Sequence, residues 1–175
     1  MLREYRDRFQ AAFGRAVNAQ DLARALASYV RSILSGNSPL DRYMNGEREA
    51  LSVQARRGLI IFRGKGNCTA CHAGPNLTDE QFHNTGVAWK DGALRDPGRF
   101  AVTGKDHDRG SFKTPTLREV SRTAPYMHDG SISSLEEVIE FYNRGGNPNP
   151  HLDPEPRPLG LTPEGKQAFS PFSNL

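Results

Sequence analysis

Two cysteines and a histidine stand together in the 175-residue chain, in the pattern Cys68-x-x-Cys71-His72. This spacing is the attachment signature of c-type haem. Two thiols on one helical turn can reach the two vinyl groups of a porphyrin, and the next imidazole then lies under the iron. The pattern therefore predicts one covalent haem c, with thioethers to Cys68 and Cys71 and with His72 as the proximal iron ligand.

Two other chemistries use a C-x-x-C pair, and the surrounding sequence favours neither. A thioredoxin-like redox pair needs a β-α-β context, whereas residues 1–63 read as helical. A zinc site needs two further ligands, and the chain has no second C-x-x-C. Because Cys68 and Cys71 are the only cysteines, a disulfide framework is excluded as well.

The sixth iron ligand decides what such a haem does. Methionine opposite histidine is typical of electron carriers with a raised potential, whereas tyrosine ligation favours oxidised iron. The side chains that could take this place are Met44, His83, His107, Met127, His128, Tyr142 and His151.

Residue types and positions leave the choice among these candidates open. Met127 suits either ligation or the filling of a gap in the core. Tyr142 lies on the same side of a predicted helix as Leu135 and Val138, so it should face inward, although a buried tyrosine is more often a core residue than a ligand.

The histidines fall into two groups. Those at 83, 107 and 151 lie in polar segments, and we expect them in exposed loops. His128 lies between two turn signals and could contact the haem edge, a propionate, or the path of an electron or proton.

Helices should position these residues. Asn18 can cap a helix that runs to Leu34, and its apolar residues recur at helical spacing, which predicts that the helix buries one face. The apolar residues of this face are Leu22, Leu26, Tyr29, Val30, Ile33 and Leu34. A turn is expected at 37–39, and a second helix is expected to begin after Ser52 and to end in the loop 64–66.

Beyond the haem motif the pattern changes. Residues 73–123 are aperiodic and are expected to form loops with short helical turns. Ser134 and Glu137 form a capping box, which predicts a helix from Leu135 to about Asn143. A last short helix should start at 162–163 and end at 170–171.

These elements predict an all-α fold: one cytochrome c-like domain over residues 1–175, with long irregular loops wrapped around one covalent haem. Residues 1–63 would form a helical lead-in packed on the haem-wrapping region 64–175. A net charge of +3 without a Lys/Arg run gives no sign of nucleic-acid binding. Neither a membrane-spanning stretch nor a signal peptide is expected.

An ordered set of motifs resembles the C-terminal half of the bacterial dihaem cytochrome c peroxidases and of the related MauG proteins. The motifs lie at 34–43, 57–59, 68–72, 96–99, 112–118, 123–130, 135–146 and 158–161. The resemblance implies that Cys68, Cys71 and His72 hold the electron-transfer haem. It also makes Tyr142 the preferred distal ligand, because MauG has tyrosine there and the peroxidases have methionine, with Met127 as the alternative.

The same resemblance implies partners. An N-terminal haem domain, where hydrogen peroxide reacts, is absent from this chain, so peroxide turnover by the chain alone is not expected and no catalytic residue is assigned. The electron donor would be a small redox protein, in the periplasm. The family also holds calcium between its domains through carbonyls that match Thr123 and Pro125, but its side-chain ligand belongs to the other domain.

Three hypotheses follow. The chain is the electron-transfer haem domain of a peroxidase or MauG-like oxidoreductase, or it is a stand-alone monohaem cytochrome c. A third reading is a non-functional remnant, since haem attachment occurs outside the cytoplasm and no export signal is visible. We expect the chain to be part of a longer or split protein.

Overall fold

The structure, a computed structural model, describes residues 3–169. The chain divides into two compact units, Met1–Ser35 and Gly36–Leu175, and each is described by itself. None of the helices in the described residues is long and apolar enough to cross a membrane.

The first unit consists of two helices, α1 (Arg3–Phe13) and α2 (Ala19–Ser32). Asn18 caps α2 as predicted, because its side-chain oxygen accepts a hydrogen bond from the Asp21 amide at 2.9 Å. The helix ends at Ser32, so it is slightly shorter than predicted, and Ile33 forms its C-cap.

Asp21 is the only buried residue of α2 and organises the turn before it. Arg15 binds its carboxylate with two hydrogen bonds of 2.7 and 2.8 Å, and Arg24 adds a third of 3.0 Å. The hydrogen bonds from Arg15 and Asn18 hold the pKa of Asp21 well below its usual range. This carboxylate therefore stays ionised and ties the start of α2 to the segment that precedes it.

The prediction that α2 buries its apolar face is wrong for the described chain. Leu22, Leu26, Tyr29, Val30 and Ile33 are all exposed. The helical spacing of apolar residues shows that a face is suited to burial, but it does not identify the surface that covers it.

The second unit contains five α-helices and four short strands among its described residues. The helices are α3 (Pro39–Met44), α4 (Val53–Arg63), α5 (Phe100–Thr103), α6 (Leu135–Asn143) and α7 (Pro163–Phe169), with single 3₁₀ turns at Arg48–Ala50, Cys68–Ala70, Asp106–Asp108 and Val120–Arg122. The strands are β1 (Phe82–His83), β2 (Trp89–Lys90), β3 (Ala93–Leu94) and β4 (Phe112–Lys113).

The strands correct the all-α prediction. β1 pairs with β4 and β2 with β3, both antiparallel, so the fold is mostly helical with two very small sheets. Each strand has two residues, too few for an alternating pattern to be visible in the sequence. Pairing of β1 with β4 also depends on contacts between segments far apart in the chain.

Local capping signals were the most reliable guide to the helices. Ser52 caps α4, and Ser134 forms the predicted capping box with Glu137 at the start of α6. At 37–39, where a turn was expected, Ser38 and Asp41 form a further capping box and start α3. The last helix begins at Pro163 as predicted, and the expected stop at 170–171 lies outside the described residues.

A small apolar core lies between α3 and α4. It consists of Leu40, Leu51, Ala55, Leu59 and Phe62, with Cys68 packed against it. The haem motif thus begins at the edge of the best-packed part of this unit, which gives its first cysteine a rigid support.

Arg118 connects this core region to the loops beyond the motif. Its guanidinium donates two hydrogen bonds of 2.9 Å to the Asp41 carboxylate and a third of 2.7 Å to the Pro75 carbonyl. Only 13% of the Arg118 side chain and 26% of the Asp41 side chain are exposed. A bidentate pair in such surroundings is stronger than a surface ion pair.

Replacement of this arginine by an apolar residue should destabilise the protein. We expect Arg118→Met to lower the free energy of unfolding by about 2 to 3 kcal/mol, because Asp41 then keeps a charge without its main partner. Urea denaturation of the haem-loaded chain measures this loss. Arg122→Met is the matched control, since Arg122 is exposed and forms a surface ion pair with Glu119, and it should cost about 0.5 kcal/mol or less.

The same pair predicts how stability depends on pH. The hydrogen bonds from Arg118 lower the pKa of Asp41. A carboxyl whose pKa is lowered on folding stabilises the protein above its unfolded pKa of about 3.9, and this contribution disappears as the pH falls towards the folded pKa. Below about pH 4 wild type should therefore lose stability more steeply than Arg118→Met; equal slopes would contradict this role of the pair.

Candidate haem site

A cavity of about 460 Å³ lies in the second unit, and its walls are mostly apolar. This volume is in the range of small-molecule and cofactor sites. Cys68, Cys71 and His72 all contribute to its wall, so the three residues predicted to hold haem c open onto one space.

The backbone around the motif is tightly constrained. Cys68–Ala70 form a single 3₁₀ turn, and just beyond it the His72 amide donates to the Cys68 carbonyl at 2.8 Å. Gly66 precedes this turn, and a Cβ there would lie only 2.8 Å from the Ile61 carbonyl oxygen. The chain therefore passes close to the end of α4 before it presents the two thiols to the cavity.

Backbone hydrogen bonds with Leu77 and Pro115 act on the His72 ring. Its Nδ1 lies 3.0 Å from the Leu77 carbonyl oxygen, and because a carbonyl only accepts, Nδ1 carries the hydrogen. Burial lowers the pKa of His72, which favours the neutral ring. In the neutral ring with its hydrogen on Nδ1, Nε2 carries the lone pair through which histidines bind metals.

The two thiols do not resemble a reactive redox pair. Burial raises the pKa of Cys68 to about 12, and burial together with the nearby Asp79 raises the pKa of Cys71 to about 11. Catalytic C-x-x-C pairs instead have lowered thiol pKa values. The raised pKa values of both thiols therefore argue against the thioredoxin-like alternative.

A zinc site fits no better. Within residues 3–169, the groups of three potential metal ligands are Cys71 with Asp79 and His83, and His83 with Asp153 and Glu155. Neither group includes Cys68, and both nitrogens of His83 already bind carboxylates. The donor set, the free thiols and the apolar walls fit haem c.

The helix α6 supplies another wall of the cavity. Leu135, Val138 and Tyr142 all line it, as their helical spacing predicted. Burial raises the pKa of Tyr142 to about 12, with a smaller increase from the two thiols and a decrease from a hydrogen bond with Thr85. The raised pKa favours the neutral phenol, and a bound cation such as ferric iron would favour its anion.

Met127, the alternative ligand, also lines the cavity, so the site contains both candidates. Its backbone adopts φ +70, a left-handed conformation that is uncommon for residues other than glycine. Of the other candidates, Met44 is exposed and is not part of the cavity wall.

His128 belongs to the wall as well. Its ring stacks on Phe112 with 3.5 Å between centroids and 11° between planes, and its Nε2 lies 3.6 Å from the Asp96 carboxylate. The stack holds the imidazole at the surface of the cavity. Contact of His128 with a haem edge or a propionate stays a prediction.

The expectation of exposed loops is correct for one of the three remaining histidines. His107 is exposed, whereas His83 and His151 are partly buried.

His83 lines the cavity, and its two nitrogens lie 2.7 Å from Asp153 and 2.9 Å from Asp79. Although burial lowers its pKa, these two hydrogen bonds raise it by more, so the net shift is upward. The polar sequence around position 83 did not reveal this long-range contact with Asp153.

Thr123 and Pro125 also line the cavity. Their carbonyl oxygens are the donors that the family resemblance assigned to calcium. Calcium binding at these two residues stays a prediction.

An amide network that the sequence did not reveal holds the loops of the site together. Asn84 is almost fully buried and donates to the Arg109 carbonyl at 2.8 Å, while Asn147 donates to the Gly86 carbonyl at 3.1 Å. A Cβ on Gly86 would collide with the backbone of Asn147, and one on Gly146 with that of Thr85. Their positive φ angles and this close approach account for glycine at both positions. The sequence shows turn-forming residues at 84–86 and 145–149, but it does not show that these two segments contact each other.

The fold and the lining of the cavity fit a domain that binds c-type haem. Comparison with known proteins agrees. The sequence profile of the family described as di-haem cytochrome c peroxidase matches residues 2–49. The methylamine utilization protein MauG of Methylorubrum extorquens is 36% identical to the chain, over 96% of the chain and 48% of MauG. Cytochrome-c peroxidase IdrP1 of Pseudomonas sp. strain SCT is also 36% identical, over 97% of the chain and 52% of the relative.

Solved structures show the same likeness. A crystal structure of a MauG-like protein associated with microbial copper homeostasis has a TM-score of 0.79 and 31% identity, covering 98% of the chain and 57% of the other protein. The dihaem peroxidase BthA of Burkholderia thailandensis shares the fold, with a TM-score of 0.69 and 22% identity, over 95% of the chain and 54% of BthA.

This chain belongs to the dihaem cytochrome c peroxidase and MauG family. That membership implies c-type haem. The chain spans about half the length of the curated relatives named above, with 48% and 52% of their residues matched.

Removal of both thiols should abolish covalent haem attachment. We expect wild type, coexpressed with a c-haem maturation system and an export signal, to give a haem-stained band of about 19.4 kDa after denaturing electrophoresis. The Cys68→Ser/Cys71→Ser variant should give none, because no thioether can form. Met44→Leu, a change outside the cavity, should stain like wild type; an unstained wild-type band would contradict the haem assignment.

Proposed function

We propose that this chain is the electron-transfer haem domain of a dihaem peroxidase or MauG-like oxidoreductase. It carries one haem c on Cys68 and Cys71, with His72 and Tyr142 as the iron ligands. The observation that carries the proposal is that all four side chains line one apolar cavity. Bound there, haem c supplies a one-electron iron couple.

The residues of the chain determine what this couple can do. His72, whose Nδ1 hydrogen-bonds to the Leu77 carbonyl, would bind the iron through its other ring nitrogen. A second axial donor from α6 would complete the coordination of the iron. A haem with both axial positions filled by protein transfers electrons and leaves no open position for peroxide.

The apolar wall around these ligands also favours electron transfer. Leu135, Val138 and Ile139 of α6 limit the access of water to the cavity. A dry, packed surrounding tunes the potential of a metal site and controls solvent access to it. The site of peroxide reduction would lie in a second haem domain, supplied by the same or another polypeptide.

By this proposal the electron donor is a small redox protein and the compartment is the periplasm. The substrate of the complete enzyme is hydrogen peroxide, in line with the peroxidases among the relatives. Calcium would bind at Thr123 and Pro125 only when the second domain contributes a further ligand.

A stand-alone monohaem cytochrome c is the second candidate function. The presence of one C-x-x-C-H motif favours it. The two functions differ in whether a second haem domain changes the activity of the chain.

The identity of the distal ligand can be tested by two substitutions. We expect Tyr142→Phe to change the absorption spectrum of the haem-loaded chain and to raise its midpoint potential, because loss of an anionic oxygen ligand destabilises the ferric state. Met127→Leu should leave both nearly unchanged. Spectroelectrochemical titration of the three proteins measures the effect, and a larger shift in Met127→Leu would identify methionine as the ligand.

The proposal assigns electron transfer to this chain and peroxide reduction to a second haem domain. It therefore predicts little peroxide turnover by this chain alone. The haem-loaded wild-type chain is mixed with a reduced cytochrome donor, once with hydrogen peroxide and once without it. We expect the rate of donor oxidation to be the same in both mixtures. Stopped-flow absorbance of the donor is the measurement. Sustained peroxide-dependent turnover would mean that the single haem opens a coordination position, contrary to the proposal.

A further inference from the structure

The side chain of His83 meets a carboxylate at each of its two ring nitrogens. Nδ1 lies 2.7 Å from Asp153 Oδ2, and Nε2 lies 2.9 Å from Asp79 Oδ2. A neutral imidazole carries one N–H and can donate to only one of these oxygens, whereas an imidazolium donates to both. The geometry therefore favours the protonated ring. Burial lowers the pKa of His83, but the two hydrogen bonds raise it by more, which agrees with this reading of the geometry.

This imidazole lies next to the place where the haem would be attached. His83, Asp153 and Glu155 all line the haem cavity. The Cys71 sulfur, an Asp79 carboxylate oxygen and a His83 nitrogen lie within 4.8 Å of one another. Because the Cys71 sulfur would become a thioether of the porphyrin, a charge on His83 would lie close to the edge of the haem.

The ionisable groups around His83 come from several segments of the chain. They are Asp79 before β1, Cys71 and His72 of the haem motif, Lys113 of β4, His128, which stacks on the Phe112 that pairs with His83, and Asp153 and Glu155 between α6 and α7. Thioether formation and iron ligation would use the reactive atoms of Cys71 and His72, so these two groups would no longer titrate. Three carboxylates surround one imidazolium, and loss of its proton would leave only negative charge in this cluster.

We propose that His83 is a proton-binding site coupled to electron transfer at the haem. This inference rests on the proposed function, which places haem c in the cavity. One electron from the redox donor removes one positive charge from the haem, and one proton from solvent then binds the His83 imidazole and restores that charge. When the electron leaves, the proton is released. The charge at the apolar cavity stays nearly constant, which lowers the electrostatic cost of electron transfer there.

The coupling determines how the midpoint potential depends on pH. The extra positive charge of the oxidised haem repels the His83 proton, so reduction increases the proton affinity of His83. The potential should therefore fall as the pH rises through the titration range of this histidine. That range lies above the ordinary histidine pKa of about 6.5, because the pKa of His83 is raised.

Spectroelectrochemical titration of the haem-loaded full chain between about pH 6 and about pH 10 measures this fall. We expect the proton affinity of His83 to differ at least threefold between the two oxidation states, which lowers the potential by about 28 mV, since tenfold corresponds to about 59 mV for one electron. His83→Gln should lose this part of the pH dependence. His107→Gln is the matched control, since His107 is exposed and lies outside the cavity wall, and it should match wild type.

A second variant separates proton binding from a structural role of His83. Asp153→Asn keeps the imidazole but removes one of the charges that stabilise its proton, so the fall in potential should move to lower pH. A merely structural contact would change stability without moving this range, and the variant tests the proposal even if His83→Gln does not fold. Proton uptake on reduction, followed with a pH-indicator dye in weakly buffered solution, should be smaller in His83→Gln than in wild type.

Two outcomes would overturn the inference. One is the same pH dependence of the potential in wild type and His83→Gln, and the other is an unmoved range in Asp153→Asn. Failure of the proposed function is distinguishable, because it appears as a missing haem-stained band or as an unchanged potential in Tyr142→Phe. A chain that passes those two tests but has a potential independent of His83 would keep its proposed function and lose this proton site.

Discussion

The second unit is arranged around one mostly apolar cavity. Its volume is about 460 Å³, and apolar wall surface that stays in contact with water forgoes about 25 cal/mol of stabilisation per Å². The ten buried apolar residues of the described chain form a modest core. The haem c that we propose for this site would add to that core, because its porphyrin would cover the apolar walls and its thioethers would keep it in place.

This constraint explains why long loops are tolerated around the site. The segments between α4 and α6 contain four strands of two residues each and little other regular structure. They are held instead by individual polar contacts such as those of Asn84, Asn147 and the Arg118–Asp41 pair. Each contact ties a loop to a segment distant in sequence, so the walls of the cavity are rigid without a large sheet or helix bundle.

The first unit is stabilised differently, by polar contacts at the start of α2. Asp21 and its two arginines stabilise the turn between α1 and α2. The apolar side chains of α2 contribute nothing comparable, because they are exposed in the described structure.

The sequence by itself determined the features that depend on neighbouring residues. Cys68, Cys71 and His72 are adjacent, so their chemistry was visible without a fold, and helices α2, α4 and α6 were predicted because capping acts within four residues. Tyr142 was correctly placed inward, since helical spacing is also local. Only the tertiary structure decided the rest: that β1 pairs with β4, that His83 lies between Asp79 and Asp153, and that the apolar face of α2 is uncovered. These features depend on which distant segments meet, and a pattern of residue types along the chain does not contain that information.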